Sequence, residues 1–269
     1  MKFGKFAKTF APIAAVALAS ALAGCDGSHI SINNHDGKKL SELDLSGKAP
    51  TELVLAGPDE VRITQGNTLS ITVEGDPEAA EHLRFTLDDD TLGVMREGKW
   101  RSEGNKIAVV NVTMPALKEL TLAGSGKIAA AAMASDAQVT VAGSGLVETP
   151  AISSEKLELT IAGSGTYRGA GTAKKLKLTV AGSGSADMGG VKVDTADITI
   201  AGSGNAKLAS DGEVKADIMG SGEVTVIGRA KCKVQSMGSG RLVCEAAAAA
   251  AAPPAAPEPP AAPAAPTKP

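Results

Sequence analysis

The chain has 269 residues, of which 31 are Gly and 43% are hydrophobic, yet only 2% are aromatic. Abundant Val, Ile, Leu and Thr with frequent Gly point to short strands and turns and exclude a helical bundle. A formal charge of −3, from 27 basic and 30 acidic residues, excludes a general nucleic-acid binder, which needs a basic footprint.

Residues 1–24 read as a lipoprotein signal peptide. Lys2, Lys5 and Lys8 form a positive start, and Phe10 to Ala21 is an apolar run too short to span a bilayer. Leu22-Ala23-Gly24-Cys25 resembles the bacterial lipoprotein box: two small residues admit the signal peptidase, and the Cys25 thiol accepts the lipid. The plainer alternative is an ordinary signal peptide with an incidental Cys. Acyl chains on Cys25 would anchor the domain, each buried methylene contributing ~0.8 kcal/mol. Asp26 resembles an inner-membrane retention signal of enteric bacteria. The expected location is therefore the cell envelope, either periplasmic or at the outer surface. Loss of the signal would leave Phe85, Trp100 and Tyr167 as the aromatics, a poor basis for any stacking site.

Residues 25–45 read as a tether that includes His29 and His35; His35-Asp36 could bind a metal weakly, but solvated tether residues are the simpler reading. Residues 46–117 read as N-terminal strands. Pro77 to Glu81 suggests a short helical turn ahead of His82. Asp88-Asp89-Asp90 lies between Phe85-Thr86-Leu87 and Leu92-Gly93-Val94, which suits a hairpin turn better than a calcium loop.

From residue 118 to 245 one phrase recurs, as LTLAGSG, VTVAGSG, LTIAGSG, LTVAGSG, ITIAGSG, ADIMGSG and VQSMGSG. Its triplets are Gly124-Ser125-Gly126, Gly143-Ser144-Gly145, Gly163-Ser164-Gly165, Gly182-Ser183-Gly184, Gly202-Ser203-Gly204, Gly220-Ser221-Gly222 and Gly238-Ser239-Gly240. A spacing of 18–20 residues is the mark of a solenoid, in which each unit buries its apolar face only against its neighbours. Within each copy the period is two, so the element is a strand. Counting back from the first Gly, positions −4 and −2 are apolar and should stack inward. Position −3 points outward and holds Thr121, Thr140, Thr160, Thr179 and Thr199, then Asp217 and Gln235. The fold class is therefore all-β, a single-stranded parallel β-helix of about seven rungs. Each rung should have two strands joined by a Gly-Ser-Gly corner, where Gly permits the sharp turn and Ser can hydrogen-bond to neighbouring backbone.

The last two rungs depart from the pattern, as terminal repeats of solenoids do. Cys232 and Cys244 both fall inward there, and a disulfide stapling that end is preferred over two buried thiols, in keeping with an oxidising compartment. The tail, residues 246–269, opens with seven alanines and continues as a Pro/Ala run, which reads as a disordered, extended spacer.

No catalytic constellation can be assembled. The triplets are not phosphate-binding loops, since strand follows strand where a helix N-terminus is needed. No Ser-His-Asp or Cys-His arrangement exists, and the outward columns concentrate no charge. No enzyme activity, cofactor or metal site is expected.

The AGSG phrases, together with Glu60 to Asn67, Ser70 to Asp76 and Met114 to Leu120, resemble the head GIN domain family, described as "putative auto-transporter adhesins". The resemblance covers about residues 45 to 245. It implies a parallel, right-handed β-helix capped by an N-terminal β-sheet layer, and it supplies no catalytic residues. The expected function is that of a lipid-anchored envelope protein presenting a rigid, non-enzymatic β-helix for adhesion or scaffolding. A periplasmic structural or signalling module is the alternative, and a carbohydrate-active β-helix enzyme a third. Expected partners are the membrane, through the anchor, and an unidentified envelope protein or surface ligand, without nucleic acid. The Thr121, Thr140, Thr160, Thr179 and Thr199 face is the candidate surface for docking or self-association.

Overall fold

The computed structural model describes residues 31–32, 35–88, 90–97 and 106–245. The signal segment, Cys25, His29, Asp89, Trp100 and the Ala/Pro tail lie outside the described residues.

The repeat region is a parallel β-solenoid of about seven turns. Its strands are β9 (Leu117–Gly124), β10 (Lys127–Ala130), β11 (Met133–Gly143), β12 (Leu146–Gly163), β13 (Thr166–Gly182), β14 (Ser185–Gly202), β15 (Asn205–Gly220), β16 (Glu223–Ile227), β17 (Lys231–Gly238) and β18 (Arg241–Glu245). Before each corner the pairing is in strict register: Thr140 lies between Thr121 and Thr160, and Thr179 between Thr160 and Thr199. A slip of one residue would turn every Leu outward and every Thr inward, so burial fixes the register. Leu120, Leu122, Val139, Val141, Leu178 and Val180 are all fully buried. After the corner, Ile128, Val147, Tyr167, Ala186 and Val224 continue the core.

The backbone explains the Gly-Ser-Gly corner. The first glycine has positive φ, for example 122° at Gly143 and 116° at Gly182, a region that costs other residues strain. The second glycine is required by space: a Cβ on Gly145 would meet the Gly126 carbonyl oxygen at 2.5 Å. At five corners the serine backbone amide bonds the rung to the one before, as Ser144 N–H donates to Gly124 O at 2.9 Å and Ser164 N–H to Gly143 O at 2.8 Å; at the first and last corners the second glycine does so, Gly126 N–H donating to Gly57 O and Gly240 N–H to Gly220 O, each at 2.9 Å. The serine residues themselves are exposed.

Rungs are not simply two-stranded. A third short ladder joins Ile152, Gly171 and Val191, with Ala173 and Val193 beside them and buried. It escapes the sequence because its members share no spelling and its pairing is interrupted by bulges.

The N-terminal strands cap the solenoid and extend its sheets. Strand β3 (Glu52–Gly57) pairs in parallel with β9, placing Leu53 on Leu120 and Gly57 on Gly124. After the turn Gly57-Pro58-Asp59, β4 (Glu60–Gln65) pairs with β10. Strands β7 (Thr91–Arg96) and β8 (Ala108–Met114) add another layer, outside β3 and β4. The edges are closed antiparallel by β6 (Leu83–Asp88) on β7 and β5 (Ser70–Gly75) on β8. Between β5 and β6, α1 (Pro77–Glu81) is capped by Asp76, whose Oδ1 accepts from the amides of Glu78 and Ala79 at 3.0 Å each. The hairpin expected at Asp88 to Asp90 is the β6–β7 turn.

Asp59 stands where later corners have their second Gly, and it is fully buried. It forms an ion pair with Arg96; Arg96 Nε donates to Asp59 Oδ2 at 2.9 Å, and Ala108 N–H donates to Asp59 Oδ1 at 2.8 Å. Arg96 also donates to the Lys106 carbonyl at 3.1 Å. A buried pair with this many hydrogen bonds is strongly disfavoured from losing either partner. It joins the two N-terminal layers. Part of the segment expected as tether is docked: β1 (Ser31–Ile32) pairs antiparallel with β2 (His35–Asp36), Lys38 exchanges both backbone hydrogen bonds with Phe85, at 2.8 Å each, and Leu40, Leu43 and Leu45 pack against the core.

Candidate functional surface

The outward side of the strand before each corner is a ladder of Thr at −3 and Ala at −1. Thr160 is exposed, and Thr140, Thr179 and Thr199 are partly exposed. Thr121 belongs to the ladder by register but is 1% exposed, so the open face begins at Thr140. At the far end the Ala column becomes Met219 and Met237, 50% and 78% exposed. Parallel in-register Thr suits this surface because its β-branched side chain stacks on itself from rung to rung.

Beside the Thr ladder, position −5 forms a column of Glu52, Glu119, Gln138, Glu158, Lys177, Asp197, Lys215 and Lys233, each the registered neighbour of the next. Glu52 joins it through a rung hidden in the sequence by Pro58-Asp59; the echo of LTLAG in Leu53-Val54-Leu55-Ala56-Gly57 was the available signal. Partial burial and the neighbouring Glu52 hold the Glu119 carboxyl above its ordinary range.

Most other charges on the solenoid are tied between rungs. Lys127 Nζ lies 2.9 Å from Glu148 Oε2 and Arg168 Nη1 lies 3.5 Å from its Oε1, and these hydrogen bonds hold the Glu148 carboxyl below its usual range. Lys174 pairs with Glu155 at 2.6 Å, Lys192 with Asp211 at 3.0 Å, and Arg241 with Glu223 at 2.5 Å. Carboxylates so neutralised are ill placed for acid/base work, which needs a group poised near the working pH. A shallow groove of about 540 Å³ runs by Glu148, Pro150, Arg168 and Asp187, and the Glu148–Arg168 pair lies on its lip. Tyr167 points away from it into the core, where its hydroxyl lies 2.6 Å from Thr149 Oγ1 and burial pushes its pKa up to about 12. Phe85 is buried as well. Neither described aromatic can serve as a sugar platform.

Among the described residues no group of three or more His, Cys, Asp or Glu could hold a metal ion, and no helix is long and apolar enough to cross a membrane. His82 caps the end of α1. Cys232 and Cys244 are bonded, with Cα atoms 6.8 Å apart. They close the last rung, where the inward Val234 is 49% exposed because no further rung covers it.

No curated protein matches the chain. Among solved structures, a "putative adhesin" of Bacteroides fragilis NCTC 9343 shares 16% identity at a TM-score of 0.60, over 74% of this chain and 92% of that one. A "putative lipid binding protein" of Parabacteroides distasonis ATCC 8503 shares 21% at 0.56, over 74% and 94%. A "putative adhesin" of Parabacteroides merdae ATCC 43184 shares 20% at 0.55, over 73% and 92%. These likenesses establish the fold. A family match, "Putative auto-transporter adhesin, head GIN domain", spans residues 49–230, covering the N-terminal layers and nearly all the corners. The chain belongs to the head GIN domain family.

Proposed function

We propose that the protein is anchored to the bacterial envelope by lipid on Cys25 and acts without catalysis, presenting its rigid rod for adhesion or scaffolding. The open Thr/Ala face is its docking surface. The observation that carries this reading is an uninterrupted, uncharged ladder from Thr140 to Thr199 on a solenoid whose carboxylates away from that face, such as Glu148 and Glu155, are tied in inter-rung ion pairs. A flat, stiff surface of this kind loses little conformational entropy on contact.

The test is protease shaving of intact cells, following one epitope on the β-helix and one in the Pro/Ala tail, with lysed cells as control. A compact β-helix can resist protease, so the tail epitope reports accessibility. Loss of the tail signal from intact cells is expected for a surface adhesin, and a Cys25→Ser variant should leave the membrane fraction. Protection until the outer membrane is broken would overturn adhesion in favour of a periplasmic module.

A further inference from the structure

We infer that the open tip of the rod pairs with the tip of a second copy of this chain, strand β18 adding edge to edge onto its own twin about a twofold axis through Val243. The inference concerns the far end of the rod and rests on neither the Thr/Ala face nor the anchor.

The backbone supplies the edge. Strand β18 pairs with β16 on one side, and among the described residues no strand covers the other. Arg241 N–H donates to Gly222 O at 3.1 Å, and Glu245 O accepts from Gly228 N–H at 2.8 Å, so both residues turn their backbone groups back toward the stack. Backbone groups alternate along a strand, which turns the N–H and C=O of Leu242 and Cys244 to the open side. An exposed edge of this kind is a template for another chain.

The sequence of β18, Arg241-Leu242-Val243-Cys244-Glu245, is complementary to its own reverse. In antiparallel pairing only residues of the same pleat oppose each other. The axis must then pass through a residue, and only at Val243 do opposite charges meet. Arg241 of each copy faces Glu245 of the other on the outer side, Val243 faces Val243, and Leu242 of each copy exchanges both backbone hydrogen bonds with Cys244 of the other. Arg241 already touches Glu223 at 2.5 Å, but a guanidinium has five donors. Glu245 lies in register over Ile227, which offers it no charge.

The core of the last rung fits the same axis. Ser236 Oγ donates to Gly240 O at 2.9 Å, and Cys232 is bonded to Cys244, so β18 runs back along β17 with Val234 across from Leu242. The twofold sets Val234 and Leu242 of one copy on the Cys232–Cys244 bridge of the other, and the reverse. Val234, 49% exposed in the single chain, and the partly buried Leu242 and Cys232 are thereby covered as a further rung would cover them. Lys233 stands near the axis and would oppose its own copy, but it is held on Glu213 at 2.6 Å and is open to solvent screening.

A five-residue strand is about 17 Å long and facing sheets lie about 10 Å apart, so the joint is far smaller than a standard protein–protein interface. Tip pairing is therefore weak between dilute copies and grows with their local concentration. The N-terminal layers close the opposite end of each rod. The paired rod is thus twice as long and carries a capped N-terminal end at both extremities.

The test uses the full chain purified from cells in mild detergent. Val243→Cys copies should form a disulfide-linked dimer on mild oxidation, since residues so opposed have Cα atoms about 4.5 Å apart. Thr225 is the registered neighbour of Val243 one rung back and would lie about 14 Å from its mate, so Thr225→Cys should give no dimer. On the Val243→Cys chain, R241E and E245R should each lower the dimer about fivefold or more, because like charges then stand directly opposite. An equal mixture of these two variants should return to within about twofold of the parent, because every Glu of one copy then meets an Arg of the other. Retained protease resistance shows that each variant is folded, and peptide mapping locates the new bond. Absence of a 243–243 bond, equal linkage through Thr225→Cys, bonds formed only by exchange with Cys232 or Cys244, or a mixture no better than its components would each overturn the inference. The first is the result expected if residues 246–269 cover the tip. No outcome depends on lipid at Cys25 or on the location of the protein, so failure here leaves the anchor and the Thr/Ala face as they stand.

Discussion

At Gly143 the backbone sits at φ 122°, and an added Cβ would lie 2.4 Å from the Gly124 carbonyl oxygen. That oxygen accepts the Ser144 amide from the next rung, so it cannot move aside without breaking the tie between rungs. Gly143→Ala should therefore cost roughly 1–3 kcal/mol, the scale of a strained backbone residue. Ser144→Ala should stay within about 0.5 kcal/mol, as an exposed substitution whose backbone amide is retained. Chemical denaturation of both variants checks the contrast; equal losses would mean that the hydroxyl, and not the amide, ties the rungs. The corners were legible in the sequence because one spelling recurs at a fixed period. The partner of the serine was not, because a backbone donor has no letter of its own.

At the scale of the strand, the apolar and Thr pattern is nearly the same from rung to rung and cannot tell one rung from the next. Charge does so. Strand β13 carries Arg168, Lys174, Lys175 and Lys177 with no acidic residue. Its neighbour β12 offers Glu148, Glu155 and Glu158, and its neighbour β14 offers Asp187, Asp194 and Asp197. Arg168 sits in register between Glu148 and Asp187, and Lys177 between Glu158 and Asp197. Reversing Arg168, Lys174 and Lys177 to Glu should lower the thermal midpoint, and by more at low salt than at high salt, because exposed pairs are screened. A salt-independent loss would point to packing instead. Pattern also explains what stayed hidden. The layer at Leu53 to Gly57 ends in Pro58-Asp59 instead of Ser-Gly, and the Ile152, Gly171 and Val191 ladder has no common residue type. Alternation and register are read from repeated letters, whereas these pairings are fixed only by what the finished stack places side by side.

In the whole molecule the two ends differ. The N-terminal end is closed by antiparallel strands, α1 and the Asp59–Arg96 pair, whereas the last rung leaves Val234 half-exposed and relies on Cys232–Cys244. Replacing both cysteines by Ser should cost about 2–3 kcal/mol. Hydrogen exchange should then accelerate in β17 and β18 before it does so in β12 to β14, since repeat stacks open from their weakest end. Uniform acceleration would mean that the solenoid unfolds as one unit and the staple is not local. The inward placement of both cysteines already favoured a disulfide over two buried thiols in the sequence, and in the structure Cys232 and Cys244 are bonded.

The order of the N-terminal layers bears on how such a chain can assemble as it arrives. Strands β3 and β4 come first in the chain but lie second in the stack, between β7/β8 and β9/β10. The earliest strands therefore find both neighbours only after the chain has passed through β5, α1, β6, β7 and β8 and returned to β9. Until Arg96 reaches Asp59, nothing presents a completed template. From then on every later rung meets a finished surface on one side and open space on the other, so the rod has a fixed starting end and one direction in which to grow.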